Sequence, residues 1–106
     1  MAGYDMNVYY NPEKHELEPL LEWDYSDGKY CFDKRVVWRH KPTGKLYTAR
    51  DRGCSCPSPF EDYNGVADLS EFNADVLIEE IREVAKYGWQ CDDSPATLIT
   101  NVRELR

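Results

Sequence analysis

The residues with the clearest capacity for chemistry are four cysteines and two histidines in a chain of 106 residues. Cys54 and Cys56 form a C-x-C pair, and His40 or another remaining cysteine or histidine could complete a tetrahedral zinc site with them. Structural zinc sites usually have C-x₂₋₄-C spacing and a second ligand pair, and the sequence offers neither. It therefore favours plain thiols in a packed loop. We predict no metal and no other cofactor, and Cys54, Cys56 and His40 remain only weak metal candidates.

Covalent and acid–base catalysis find little support. A reactive thiolate needs a cation, a base or a helix N-terminus beside it, and Arg50 and Arg52 lie near Cys54 in the sequence. A thioredoxin-type C-x-x-C motif is absent from the sequence. The carboxylates that crowd the predicted first helix, among them Glu80, are expected on its solvated outer side, where nothing would split their pKa values. We therefore predict that the protein is not an enzyme.

The charge is unevenly distributed along the chain. The formal net charge is −7, yet residues 34–52 carry seven bases and one acid. One interpretation is that this segment pairs with its acidic neighbours. Another is a basic ribbon that contacts nucleic acid, although the acidic total repels phosphate backbones. The ribbon consists of Lys34, Arg35, Arg39, Lys41, Lys45, Arg50 and Arg52.

The N-terminal residues and the hydropathy predict a compartment. Residues 1–5 lack the basic and then apolar pattern of a secretory signal. A reducing compartment is then expected, with thiols rather than disulfides. No apolar stretch approaches the roughly 20 residues that a membrane helix needs, so we predict no membrane partner.

The β-strands are predicted from alternation and turn residues. Residues 4–10 alternate with a period of two, as do parts of 17–25, 29–40 and 46–51. Asp27-Gly28 is typical of a two-residue hairpin turn, which would place Trp23 opposite Phe32. Trp23 and Trp38 would then share one aromatic face of the sheet, together with Val36. A three-residue turn after His40 would place Arg35 opposite Asp51 and Arg39 opposite Tyr47.

The C-terminal part predicts two amphipathic helices. Asn73 is expected to cap a helix from Ala74 to about Tyr87, which Gly88 ends. Ser94-Pro95 is expected to open the second helix. The apolar face of the first helix is predicted to consist of Val76, Leu77, Ile81, Val84 and Ala85.

These elements predict a single α+β domain over residues 1–106. Residues 4–51 form a β-meander, 52–67 a Cys/Pro-rich loop and 68–106 a helical segment. The predicted fold is an antiparallel meander of three to four strands with two C-terminal helices packed on one face.

Three phrases of the sequence carry a resemblance: residues 4–15, Val37-Trp38-Arg39, and the Gly-Cys-Ser-Cys-Pro-Ser-Pro-Phe-Glu-Asp run at 53–62. They resemble a group of small uncharacterised proteins encoded by bacteriophages of actinobacteria. The resemblance lends no functional residues. It implies a phage-encoded protein in the cytoplasm of a bacterial host.

The predicted function is that of a small accessory protein that binds a host or phage protein. Rigid loops with aromatic side chains make low-entropy anchors, and the candidate surface consists of Tyr47, Pro57, Pro59, Phe60 and Tyr63. Phe60 and Tyr63 could instead cap the core. The alternatives are an acidic mimic of nucleic acid that blocks a DNA-binding protein, and a zinc-stabilised or nucleic-acid-binding module that uses the basic ribbon.

Overall fold

The computed structural model describes residues 7–26, 31–54 and 60–105. An antiparallel four-stranded sheet comes first, in the order β1-β2-β3-β4, and two helices follow it. The predicted α+β fold is confirmed. None of the described helices is long and apolar enough to cross a bilayer. The elements are β1 Leu17–Asp24, β2 Cys31–His40, β3 Leu46–Cys54, β4 Ser70–Glu71, α1 Ala74–Tyr87 and α2 Pro95–Glu104, with short 3-10 helices at Pro12–His15 and Val66–Asp68.

The N-terminal strand predicted over residues 4–10 is absent from residues 7–10, the part of this range that the structure describes. Residues 8–10 form a turn, and residues 4–6 lie outside the described part of the chain. The turn is built on Asn7, whose side-chain oxygen accepts the backbone N–H groups of Tyr9 at 2.8 Å and Tyr10 at 3.0 Å. An asparagine that bonds the backbone two and three residues ahead favours a turn over an extended strand.

Both helices begin at their predicted capping residues, and α1 ends at Gly88 as predicted. The Asn73 side chain accepts the backbone N–H groups of Asp75 and Val76, and Gly88 ends α1 with a φ of 129°. Ser94 accepts the N–H of Thr97 at 3.2 Å and thereby caps α2. The predicted apolar face of α1 was wrong at one position, because Val76 is 61% exposed.

The predicted register between β1 and β2 was wrong. Trp23 pairs with Arg35 instead of Phe32, a shift of three residues. Side chains alternate along a strand, so an odd shift moves every one of them to the opposite face. The pairing also shifts between Pro19 and Leu21, where β1 has an irregularity. The predicted Asp27-Gly28 turn lies outside the described residues.

The predicted register between β2 and β3 was wrong by one residue. The His40 N–H donates to the Lys45 carbonyl at 2.8 Å, which leaves a loop of four residues, 41–44, instead of three. Gly44 takes the left-handed conformation in this loop, with a φ of 72°. Arg35 therefore lies opposite Arg50. The proposed pairs of Arg35 with Asp51 and of Arg39 with Tyr47 do not form as cross-strand partners.

The sheet has a hydrophobic core on each face, whereas the sequence predicted one. Val36 and Val37 are neighbours in β2 and serve opposite cores. Trp23 lies in one core and Trp38 in the other, so the single aromatic face is a wrong prediction. The helix-side core contains Trp23, Tyr25, Val37, Ala74, Leu77, Ile78, Ile81, Leu98 and Val102. The loop-side core contains Val8, Leu17, Val36, Trp38, Ala49 and Phe60.

The loop-side core is covered by irregular chain. Val8 donates its N–H to the Tyr63 carbonyl at 2.9 Å, and the buried Asn7 amide donates to the Phe60 carbonyl. Phe60 has a φ of 60°, which is unusual for a residue with a side chain. The Asp51 carboxylate accepts the Phe60 N–H at 2.7 Å and helps to hold this conformation.

Candidate functional site

The predicted aromatic contact surface is not supported at its centre. Phe60 is fully buried, and its ring packs edge-on against Trp38 with centroids 6.0 Å apart. Its exposure as a contact residue was a wrong prediction, and the alternative, a cap on the core, is the correct one. Tyr47 and Tyr63 are half-buried against the same loop-side core. Pro57 and Pro59 lie outside the described residues.

The basic ribbon is largely neutralised within the fold. Four of its seven members form ion pairs with carboxylates, so the pairing interpretation of the charge pattern is confirmed for these four. Lys41, Lys45 and Arg52 are exposed, and no ion pair involves them within the described ranges. The four pairs are Lys34–Glu22, Arg35–Glu80, Arg39–Glu18 and Arg50–Asp33.

The metal candidates do not come together in the described part of the chain. His40 has its Nδ1 atom 2.9 Å from the Thr43 hydroxyl. No group of three or more potential ligands that could hold a metal ion occurs among the described residues. Cys56 and the side chain of Cys54 lie outside them. Cys31 is disulfide-bonded, so the expectation of reduced thiols was wrong for this residue.

A network of charged side chains joins α1 to the helix-side face of the sheet. The Glu80 carboxylate accepts a hydrogen bond from Arg35 Nε at 3.0 Å and a second from the same guanidinium. Arg50 Nη1 lies 3.5 Å from Glu80, and the Nε and Nη2 atoms of the same guanidinium donate to Asp33 at 2.7 and 2.8 Å. The Glu80 side chain is only 14% exposed. Its predicted place on the solvated side of the helix was therefore wrong.

Tyr25, the residue that follows β1, completes this network. Its hydroxyl donates to Glu80 at 2.8 Å, and the Arg50 guanidinium lies 4.8 Å from the centre of its ring. Burial, reinforced by the Glu80 carboxylate, raises the pKa of Tyr25 well above its ordinary value. A tyrosine that holds its proton so firmly is a hydrogen-bond donor and not a base. The network therefore fastens α1 to the sheet.

A second polar cluster occupies the loop-side face. The Tyr9 hydroxyl donates to Glu22 at 2.7 Å and accepts from Lys34 at 3.2 Å. Burial and the bond to Glu22 raise the pKa of Tyr9. Lys34 also lies 3.2 Å from Glu22. These three groups satisfy one another, so their arrangement is that of an anchor for the 7–10 turn.

An acidic groove lies between the end of β1 and the loop that joins the helices. Its volume is about 230 Å³. Asp92 and Asp93 are exposed, and within the described ranges no ion pair involves them or Asp24. The groove can therefore attract cations and the basic side chains of a partner. It is lined by Glu22, Trp23, Asp24, Ser26, Gln90, Cys91, Asp92 and Asp93.

Local hydrogen bonds fix the groove. Asp24 accepts from the Ser26 hydroxyl at 2.7 Å and from the Asp33 N–H at 3.0 Å. The Cys91 thiol donates to the Asp24 carbonyl at 2.9 Å, and the Trp89 indole donates to the Asp93 carbonyl at 2.7 Å. The carboxylates at 92 and 93 are thus held beside β1 by the residues around them.

Cys91 lines this groove, where burial and nearby carboxylates act on its thiol. Burial, followed by the charges of Asp24, Asp92 and Asp93, raises the pKa of its thiol to about 11. Sequence analysis missed this site. The available signal was the Cys-Asp-Asp run directly before the Ser94 helix cap, but nothing in the sequence placed Asp24 beside it.

The fold and its sites define a small α+β domain, and comparison with known proteins places it in a family. The chain belongs to the family described as Domain of unknown function (DUF7574), which it matches over residues 6–104. No curated protein matches the chain. No solved structure matches it either.

Proposed function

We propose that this protein is a small accessory protein that acts by binding another protein and is not an enzyme. The acidic groove carries the proposal, because the exposed carboxylates of Asp92 and Asp93 lie there beside Asp24, and none of the three has an ion pair among the described residues. A cationic segment of a partner protein is the ligand whose chemistry fits this groove. The overall charge of −7 adds long-range attraction for the same kind of partner.

The charged side chains of the other polar clusters are paired with one another, which leaves the acidic groove as the proposed contact surface. Glu80, Arg35, Arg50 and Asp33 engage one another between α1 and the sheet. In the proposed function these side chains hold the fold, and the acidic groove makes the contact. The resemblance of the three phrases at 4–15, 37–39 and 53–62 to phage proteins is the basis for proposing a phage-encoded protein in a bacterial host cytoplasm, with a host or phage protein as the partner.

The test compares two variants with the same change in charge. Asp92→Asn/Asp93→Asn neutralises the groove, and Glu13→Gln/Glu104→Gln neutralises two exposed carboxylates outside it. Each immobilised protein is incubated with host lysate at low and moderate salt, and retained proteins are identified by mass spectrometry. We expect a partner that the wild type and the Glu13/Glu104 variant retain, that the groove variant loses, and whose retention falls with salt. Equal retention by both variants would contradict the proposal.

The same groove supports the acidic mimic as a second candidate, in which the partner is a DNA-binding protein. Duplex DNA added to the retained complex separates the two candidates. Release of the partner by DNA favours the mimic, and unchanged retention favours a partner that binds no DNA. A nucleic-acid-binding role for the ribbon has less support, because four of its seven cations are paired.

A further inference from the structure

The disulfide at Cys31 lies at the end of the sheet opposite the 41–44 loop. Cys31 begins β2, and the residue opposite it in the ladder is Cys54, which ends β3. Cys91 is a free thiol. The bond therefore lies at the beginning of β2, and its second sulfur belongs to a side chain outside the described ones.

The bonded sulfur of Cys31 stands at an open surface. Cys31 is exposed and lies beside a groove of about 570 Å³. Thiol–disulfide exchange requires that an attacking thiolate reach a sulfur, and this groove gives access to one. Arg52 supplies a positive charge that favours the approach of a thiolate. The groove is lined by Ser26, Cys31, Phe32, Asp33, Arg52 and Gly53.

This end of the sheet is held by few other contacts. Within the described residues, neither core contains a member from 31–33 or from 52–54. The contacts of 31–33 and 52–54 include the strand ladder, the Arg50–Asp33 pair, the bonds of the Asp33 backbone to Tyr25 and Asp24, and a 2.9 Å bond from the Ser26 hydroxyl to the Cys31 carbonyl. A segment without buried apolar contacts opens at a lower free energy than the domain as a whole.

We propose that the Cys31 disulfide is a thiol–disulfide exchange site for dithiols, and that its reduction loosens this end of β2 and β3 while both cores stay folded. One thiolate of the dithiol attacks a sulfur of the bond. The S–S bond breaks, a mixed disulfide forms, and the leaving thiolate takes a proton from water. The second thiol of the dithiol then displaces the protein sulfur. Two protein thiols and one oxidised dithiol result, with two electrons transferred.

The experiment uses the full chain, purified without reductant, and dithiothreitol as the dithiol. Under denaturing conditions we expect two alkylatable thiols before treatment and four after treatment of the native protein. Amide hydrogen exchange followed by mass spectrometry should then become roughly tenfold faster in 31–33 and 52–54. Exchange in α1 and in residues 36–38 should remain unchanged.

Two variants make the result specific. Cys31→Ser should show the fast exchange at this end without dithiothreitol, and Cys91→Ser should respond to dithiothreitol as the wild type does. If Cys31→Ser fails to fold, the wild-type measurement decides alone. Four free thiols before treatment, an unchanged exchange pattern after reduction, or faster exchange that extends through α1 would each overturn the proposal.

Discussion

The two faces of the sheet are stabilised in different ways. The helix-side face is covered by two capped helices and fastened by the Glu80 network. The loop-side face is covered by irregular chain, which Asn7 and Phe60 anchor through hydrogen bonds and ring packing. The helices contact the sheet through many apolar side chains that repeat along one helix face. The irregular chain on the loop side is held by a few individual side chains. Single substitutions should therefore reveal the difference between the two faces.

The largest effect is expected on the loop side. Phe60→Ala removes a fully buried ring that contacts Trp38, Tyr9 and Tyr63. It should lower the free energy of unfolding by about 4 kcal/mol, measured by urea denaturation. Ile81→Ala on the helix side should lower it by about 3 kcal/mol. A loss below about 1 kcal/mol for Phe60→Ala would show that the loop cover contributes little to stability.

The next effect concerns the network on the helix side. Glu80→Ala leaves the half-buried guanidinium of Arg35 without its carboxylate and should cost about 2 kcal/mol in urea denaturation. Glu79→Ala is the matched control, because Glu79 is exposed and its ion pair among the described residues is the surface pair with Arg82. It should cost less than about 0.5 kcal/mol. Equal costs for the two variants would mean that the Glu80 network contributes no more than a surface pair.

The third prediction concerns Cys91, where the two helices meet the sheet. Its thiol has a pKa of about 11 in the folded protein, so native protein at pH 8 should react with iodoacetamide at least about tenfold more slowly than unfolded protein. The folded state binds this proton more tightly than the unfolded state. Stability is therefore retained below the ordinary thiol pKa near 9 and falls as the pH rises from about 9 to about 11.

The Asp92→Asn/Asp93→Asn variant is the control for this prediction. Removal of two of the charges that raise the pKa of Cys91 should bring native alkylation closer to the unfolded rate. An alkylation rate that does not change would assign the raised pKa to burial alone.

The smallest effect is expected at the cap of α1. Asn73→Ala removes the side-chain oxygen that accepts two backbone N–H groups and should cost about 1 kcal/mol. Asn73→Asp keeps an acceptor and should keep most of the stability. Thermal unfolding followed by circular dichroism compares the two variants, and an equal loss in both would show that the cap does not operate through this oxygen.

The sequence predicted the helices better than the sheet register for a physical reason. Asn73, Gly88 and Ser94 act within a few residues of themselves, so their effect is readable locally. Strand register depends instead on loop length, and one extra residue in the 41–44 loop moved every side chain of β3 to a different partner. The predicted α+β fold was correct despite this error, but the prediction of which side chains share a face of the sheet was wrong because of it.

The candidate site was harder to predict than the fold. Asp24 and Asp92 lie 68 positions apart in the sequence, and only the packing of the inter-helix loop on β1 brings them together. Glu80 looked solvated because it stands among Glu79 and Glu83, yet it lies one turn from Leu77 and Val84 at the edge of the apolar stripe. With the correct register, Arg35 and Arg50 on the same sheet face would have indicated its role.

The margins of the sheet have a consequence for behaviour at high concentration. The strands at the two ends of the described sheet are β1, which carries Pro19 and a break in its pairing, and β4, which has only two residues. Proline lacks the N–H that a further strand would need, and a two-residue strand offers few backbone N–H and C=O groups with which another strand could pair. At β1 and β4 these features discourage the edge-to-edge pairing of strands from two molecules, which is the step by which a fibril grows.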